Sequence, residues 1–323
     1  MNILITGVCG FIGFSLAEEL MKRKNTIIGV DNINNYYSKK LKLKRLSKLK
    51  NKKNFKFILA DINNYKKIVK ETKKIKIDII FNFAAQAGVR YAVKNPKSYI
   101  HSNVEGFKSL VKFVLYKKPK KFIFASSSSV YGDAKKYPVK EDDSLNPKNL
   151  YAKTKKFNEE YSKKLLKNTD IKVIGLRLFT IYGEWGRPDM LILKFLKLAK
   201  QKKIFELNYN GNLYRDFTYI KSAVKLIKIL SILDLKKDYD VFNICSSKPI
   251  KVIKIIDKLK ISTKYQNIKN ISMNKHEVYK TYGSNKKTLK KIKIKIKIKN
   301  IFLPIHIGVQ RTINWFNKYE NLL

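Results

Sequence analysis

Three groups of residues in this 323-residue chain combine reactive or anion-binding types with meaningful spacing. The first is Gly7-Val8-Cys9-Gly10-Phe11-Ile12-Gly13, placed between an apolar run and an amphipathic stretch. Glycines between a strand and a helix let the backbone turn tightly and approach a pyrophosphate, which the helix N-terminus then stabilises. The spacing is GxxGxxG rather than the commoner GxGxxG. Asp31 closes the next apolar run, 18 residues past Gly13. A carboxylate there accepts ribose hydroxyls and repels a 2′-phosphate, which points to NAD rather than NADP. The second group is Tyr151-Ala152-Lys153-Thr154-Lys155, which puts Tyr151 and Lys155 on one helical face. A free phenol, with a pKa of about 10, is a poor base near neutrality. A neighbouring ammonium and the positive ring of a nicotinamide are expected to lower it. The third group is Ser126-Ser127-Ser128-Ser129, closed by Val130-Tyr131-Gly132, where a hydroxyl can share or relay the proton.

Hydrophobic patterning supplies the elements that position these groups. Strands are predicted over 2–6, 26–30, 55–59, 77–83, 122–125 and 173–178, and helices over 13–24, 104–116 and 151–166. Strands alternating with helices mean an α/β protein with a Rossmann-like, doubly wound parallel sheet, and its ligand site lies beyond the C-terminal strand ends. Each unusual cluster in the first half falls at such an end. The second half is less regular and suits a smaller C-terminal α/β substrate-binding domain. The expected division is a dinucleotide-binding domain over 1–179 and a substrate domain over 180–323, with a return near 216–245 left open. Residues 290–299 alternate Lys and Ile and read as a low-information surface segment.

Composition sets outer limits. A 44% hydrophobic share with 12% aromatics excludes a disordered or collagenous chain. No window is apolar enough to span a membrane, and the opening MNILITG does not read as a signal peptide. Cys9 and Cys245 do not make a disulfide framework, so a reducing cytoplasm is expected. The histidines His101, His276 and His306 show no metal spacing, and no metal is expected. The formal net charge of +47 invites a polyanionic partner. Yet only seven of 71 basic residues are Arg, and Lys is spread along the whole chain rather than gathered on one face. We read this as drift toward lysine at solvated positions, and nucleic acid is not the expected partner. Four of the seven arginines, Arg90, Arg177, Arg187 and Arg215, fall in or beside the motifs, where a planar fork for phosphate or carboxylate is useful. Arg177 lies inside a predicted strand and reads as a structural ion pair.

Taken together, the glycine turn, Asp31, Asp61, the serine run and Tyr-x-x-x-Lys resemble the extended short-chain dehydrogenase/reductases that act on nucleotide sugars. Asp31–Tyr37 (DNINNYY), Ala84–Tyr91 (AAQAGVRY), Gly183–Met190 (GEWGRPDM) and Arg215–Tyr219 (RDFTY) are similar to UDP-glucuronate 4-epimerases, over about residues 1 to 245. The resemblance implies tightly bound, recycled NAD contacted by Gly7, Gly10, Phe11, Ile12, Gly13, Asp31, Asn32, Asp61, Ile62, Phe83, Ala84, Asn103, Tyr151 and Lys155. It implies Tyr151 as base, assisted by Ser127 and Lys155. It implies a UDP-sugar site including Arg90, Ser127, Ser128, Ser129, Tyr151, Thr180, Arg187, Arg215 and Glu277, and a homodimer.

Thr180 stands where many galactose-type epimerases have Asn and resembles the glucuronate type. Ser128 and Ser129 stand where 4,6-dehydratases place an Asp-Glu pair and glucuronate decarboxylases a Glu, which disfavours both. His276-Glu277-Val278 departs from the usual Gly-Asp-Val, so that Glu277 takes the slot of an Asp that contacts a ribose or a neighbouring Arg. The implied reaction is 4-epimerisation of UDP-glucuronate through a transient 4-keto sugar, with hydride returned to the opposite face. The alternatives are a 4-epimerase for UDP-glucose or UDP-N-acetylglucosamine, a decarboxylase and, from another class, a basic NAD-fold protein that binds nucleic acid or senses NAD.

Overall fold

The computed structural model describes residues 1–273, 277–293 and 301–323. Seven strands form one parallel sheet. Within it β1 (Asn2–Thr6) is flanked on one side by β2 (Thr26–Asp31) and β3 (Phe55–Leu59). On the other side lie β4 (Ile79–Asn82), β5 (Lys121–Ser127) and β6 (Lys172–Leu178). These strands are runs of Ile, Val, Leu and Phe because both faces of a parallel sheet are covered by helices. Two apolar clusters lie on the two faces, one centred on residues such as Phe14, Leu16 and Phe81, the other on Phe107, Phe122 and Phe124. β1 pairs with both β2 and β4, so the strand order reverses between β1 and β4, and a crevice opens beyond their C-terminal ends.

The first helix is Phe11–Met21, so it starts earlier than predicted and Gly13 sits in its first turn. The helix expected over 104–116 is Gly106–Lys117, and residues Ile100–Glu105 before it wind into a wider π-helical turn. Such a turn inserts a residue and re-aims side chains, here bringing Asn103 inward. The Tyr151 helix runs Leu150–Leu165, capped by the Asn149 side chain on the amide of Ala152.

Beyond β6 the chain builds two small sheets around β7 (Thr180–Tyr182), β8 (Phe205–Asn208) and β9 (Tyr214–Tyr219). β9 feeds the helix Ile220–Ile232, which packs on Phe11–Met21, and β10 (Tyr239–Ile244) then lies beside β6 in the large sheet. β11 (Pro249–Lys251) runs antiparallel to β9, whose other neighbour is β7, and β12 (Ile268–Ile271) pairs with β8.

The Lys/Ile alternation reads differently in the fold. Residues 290–292 end the helix Lys286–Ile292, with Thr288 and Ile292 buried one turn apart. Ile292 is wholly enclosed in the large apolar cluster, so this end of the run is packing rather than free surface. Residues 294–299 of the run, and His276, lie outside the described residues. Among the described residues, no helix is long and apolar enough to cross a membrane.

Candidate functional site

The glycine turn is shaped by close contact. Gly7 has φ +68°, and a Cβ there would lie 2.6 Å from Ala84 N at the end of β4. A Cβ on Gly13 would lie 2.3 Å from the Gly7 carbonyl oxygen, so the helix start presses on the turn itself. Asp31 fastens the turn from β2. Its carboxylate accepts the amide of Cys9 at 2.9 Å and that of Ile33 at 2.8 Å. Burial raises its pKa, partly opposed by those two amides. Asp61 accepts the Asn32 side-chain amide at 2.7 Å and the Asn63 backbone amide at 2.9 Å, and these bonds hold its pKa below the ordinary value despite partial burial.

One groove is lined by Gly7, Gly10, Asp31, Asn32, Asp61, Ile62, Phe83 and Ala84 together. Tyr36, Tyr37, Lys42 and Gln86 line it too, and the sequence had not singled them out as site residues. Lys42 donates to the backbone and side-chain oxygens of Asn34, both at 2.7 Å, and burial lowers its pKa to about 8. A backbone cradle that a Cβ would fill, with a carboxylate at the second strand end, fits a dinucleotide such as NAD.

Phe11, Ile12, Gly13, Asn103, Tyr151 and Lys155 stand apart from that lining. Phe11 is buried in the apolar core at the helix start. Asn103 is almost fully buried, and its amide bridges the backbone of Gln86 and the hydroxyl of Thr154. It therefore ties the Ala84–Gly88 loop to the Tyr151 helix, as a positioning group behind the groove.

The Ser127 hydroxyl faces Tyr151, where it favours the phenolate, and also meets Ser129 at 3.1 Å. The Lys155 ammonium donates to the Ala125 carbonyl at 2.8 Å, with its nitrogen 5.9 Å from the centre of the Tyr151 ring. Burial lowers the Lys155 pKa to about 8 and raises that of Tyr151. The expectation joined the Lys155 ammonium to a bound nicotinamide ring, and within the protein itself burial is the dominant influence on the phenol. The groups that oppose burial at Tyr151 are the Ser127 hydroxyl and the Arg187 charge, while the Lys155 ammonium is held by a β5 carbonyl.

Ser128 and Ser129 begin the short turn Ser128–Tyr131 straight after β5. Ser127 pairs in register with Leu178 of β6, which places these serines beside the β6 end from which Thr180 follows. Arg187 reaches back across the fold. It forks onto Asp189 and also donates to the Tyr36 hydroxyl at 3.3 Å and the Ala87 carbonyl at 3.2 Å.

Arg90 and Arg215, far apart in sequence, meet on one carboxylate. Arg90 donates twice to Glu277 Oε1, at 2.9 and 2.8 Å, and Arg215 donates to Glu277 Oε2 at 3.2 Å. Glu277 in this structure therefore contacts neighbouring arginines. Arg177 forks onto Glu159 at 3.0 and 2.8 Å, deep in the fold, as the strand position implied. Ser126 joins that buried pair through Glu159 at 2.5 Å and so leaves the catalytic run.

The sequence left Arg45 out of the site. It is fully buried and donates to Cys9 within the glycine turn and to Trp185 and Gly186 just before Arg187. Its signal, one of seven retained arginines inside a lysine-rich helix, was present.

Residues 3–245 match the NAD dependent epimerase/dehydratase family. The chain is 41% identical to an uncharacterised protein of Methanocaldococcus jannaschii, over 100% of this chain and 98% of that protein. It is 35% identical to the UDP-glucuronate 4-epimerase of Thermodesulfobacterium geofontis, over 99% of this chain and 97% of that one. Among solved structures, the UDP-glucuronic acid 4-epimerase of Bacillus cereus in complex with UDP-glucuronic acid and NAD superposes with a TM-score of 0.88. That pair is 28% identical over 98% of this chain and 99% of the other.

Proposed function

The chain belongs to the NAD dependent epimerase/dehydratase family, and on that premise we propose that it is a UDP-sugar 4-epimerase that interconverts UDP-glucuronate and UDP-galacturonate. The observation that carries the reading is Tyr151 facing Ser127 at the end of β5, with Lys155 one turn on and Arg187 acting on the same phenol.

The residues that would hold NAD are Gly7, Gly10 and Gly13 around its diphosphate, Asp31 at a ribose, and Asp61 and Ile62 farther along the groove. Bound there, NAD supplies reversible oxidation at C4 of the sugar. Tyr151 takes the proton of the sugar 4-hydroxyl and later gives it back. Ser127 orients the phenol and shares that proton, and Arg187 favours the phenolate against the cost of burial.

For glucuronate, the oxidised sugar is a β-keto acid, which loses CO2 when the breaking bond lines up with the carbonyl π system. An epimerase must hold the carboxylate out of that alignment. The hydroxyls of Ser128, Ser129 and Thr180, with Arg187 on the far side, supply donors for this. Arg90, Arg215 and Glu277 form the charged patch that meets the nucleotide diphosphate and ribose. The reading includes a homodimer in the cytoplasm that supplies a uronate for polysaccharide synthesis, and light scattering on the purified protein tests the dimer.

The deciding assay is product analysis with a panel of UDP-sugars. UDP-glucuronate and UDP-galacturonate should interconvert without net NADH release. A UDP-pentose as main product would sink the assignment, and faster turnover of UDP-glucose would move it to the neutral-sugar class.

A further inference from the structure

Arg45 has the largest side chain among the fully buried residues. It projects from the helix Lys39–Lys50 into the gap between two loops. One Nη1 hydrogen bond goes to the Cys9 carbonyl at 2.8 Å, and a second goes to the Tyr37 hydroxyl at 2.7 Å. Nη2 donates to the carbonyls of Trp185 at 2.6 Å and Gly186 at 3.0 Å. Nε has no partner among the described residues. Every oxygen in this set is a carbonyl or a phenol, so no carboxylate touches the guanidinium.

A buried guanidinium that no carboxylate touches is costly to keep, even with the Asp31 charge acting on it across the Cys9 peptide, and apolar side chains of similar size fill such space more cheaply. Its retention calls for a task. The two partners of the fork are the two loops that matter. Cys9 lies between Gly7 and Gly10, and its amide is already held by Asp31 at 2.9 Å, so its two peptide groups are clamped between Asp31 and Arg45. Trp185 and Gly186 immediately precede Arg187. Trp185 sits at φ +60°, a left-handed conformation that a bulky residue seldom adopts, and that turn brings its carbonyl and that of Gly186 onto one nitrogen. The Trp185 ring is braced by Phe14, Trp315 and Tyr319 at centroid distances of 5.5, 5.2 and 5.0 Å. A second route runs from Arg45 through Tyr37 to its neighbour Tyr36, whose hydroxyl contacts Arg187.

We propose that Arg45 is a positioning residue that couples the cofactor groove to the nucleotide-sugar site, so that filling one tightens the other. The inference rests on the proposed function. A planar fork with several donors can hold two loops in one geometry, whereas an ammonium holds one point. Displacement of the glycine turn therefore reaches Arg187 through a rigid connection. Coupling between two sites is reciprocal, so it can be read as a change in NAD affinity caused by a substrate fragment.

The test uses the full-length chain, stripped of NAD with charcoal, and UDP as the fragment. Titration calorimetry gives the NAD dissociation constant with and without saturating UDP. In the unsubstituted protein, UDP should tighten NAD by about tenfold, within the usual range of coupling between sites. Arg45→Met should bring that ratio close to one, and Arg45→Lys should leave it well below the original value. Leu46→Ala, which removes a buried side chain from the same helix, should lower the melting temperature and leave the ratio intact. An unchanged ratio in both Arg45 variants overturns the proposal, as does equal loss in Leu46→Ala or a ratio of one in the unsubstituted protein. If that protein binds neither NAD nor UDP, the proposed function itself fails, which is a separate result.

Discussion

Along the cofactor groove, carboxylates are held by backbone amides: Asp31 by those of Cys9 and Ile33, Asp61 by that of Asn63. Across the cleft, charges are held by charges. Glu277 sits between Arg90 and Arg215, and Asp189 between Arg187 and Tyr36. On the first side, the partners lie at strand ends and in tight turns that a short stretch of chain builds. On the second, Arg90 and Glu277 are 187 residues apart and meet only when the lobes are assembled. The cofactor groove is therefore built mostly from strand-end turns, whereas the Arg90–Glu277–Arg215 cluster is set by tertiary closure; the Arg187–Asp189 pair is local, two residues apart, and its contacts to Tyr36 and Ala87 are the long-range ones. Under the proposed function, a substrate diphosphate or carboxylate would meet arginines already engaged by Glu277 and Asp189.

This contrast can be broken at four points. Tyr151→Phe removes the proposed base, and turnover should fall by about 100-fold or more with bound NAD unchanged. Near-normal turnover would remove the assigned role. Gly7→Ala strikes the groove side, because its Cβ would meet the β4 backbone at 2.6 Å and φ is +68°. NAD retained through purification should fall by about tenfold or more, with a lower melting temperature. Full retention would show that the turn is not the cradle. Arg215→Met strikes the assembled side. The Michaelis constant for UDP-glucuronate should rise by about tenfold with a smaller change in maximal turnover, and bound NAD should stay the same. A loss confined to turnover would contradict its place at the nucleotide.

The smallest effect concerns Lys155, whose burial lowers its pKa to about 8 from an ordinary 10.5. Between those values the unfolded chain keeps a proton that the folded chain has released, so stability rises with pH across that window. Below about 8 the buried ammonium is a standing cost. Stripped Lys155→Met should therefore melt a few degrees higher than the unsubstituted protein at pH 7, with the gap closing toward pH 10, while its activity is lost. A gap that widens with pH would contradict the burial assigned to this group.

Much of the cofactor side was legible because it is local. Gly7, Gly10, Gly13 and Asp31 lie within one strand-turn-helix-strand unit, where spacing alone constrains geometry. The i, i+4 relation of Tyr151 and Lys155 was legible for the same reason. Their electrostatics were not, since burial and the Ala125 carbonyl come from other parts of the chain. The partners of Asn103 were not legible either, since a π-helical turn aims it at Gln86 and Thr154. The inward start of the Lys/Ile run was not legible because its partner one turn back, Thr288, precedes the run and the period of two masks the helical spacing.

Residue types and short-range spacing were enough to specify a parallel sheet, a glycine turn aimed at a dinucleotide and a tyrosine paired with a lysine, since each depends on dihedral preferences and neighbours a few positions apart. Which oxygens surround each arginine was decided by the fold. Arg177 and Arg187 each fork onto a carboxylate, Glu159 and Asp189, whereas Arg45 carries the same group enclosed by carbonyls and a phenol. A guanidinium's role follows from the oxygens that surround it, and those oxygens arrive from sequence distances that no local pattern records.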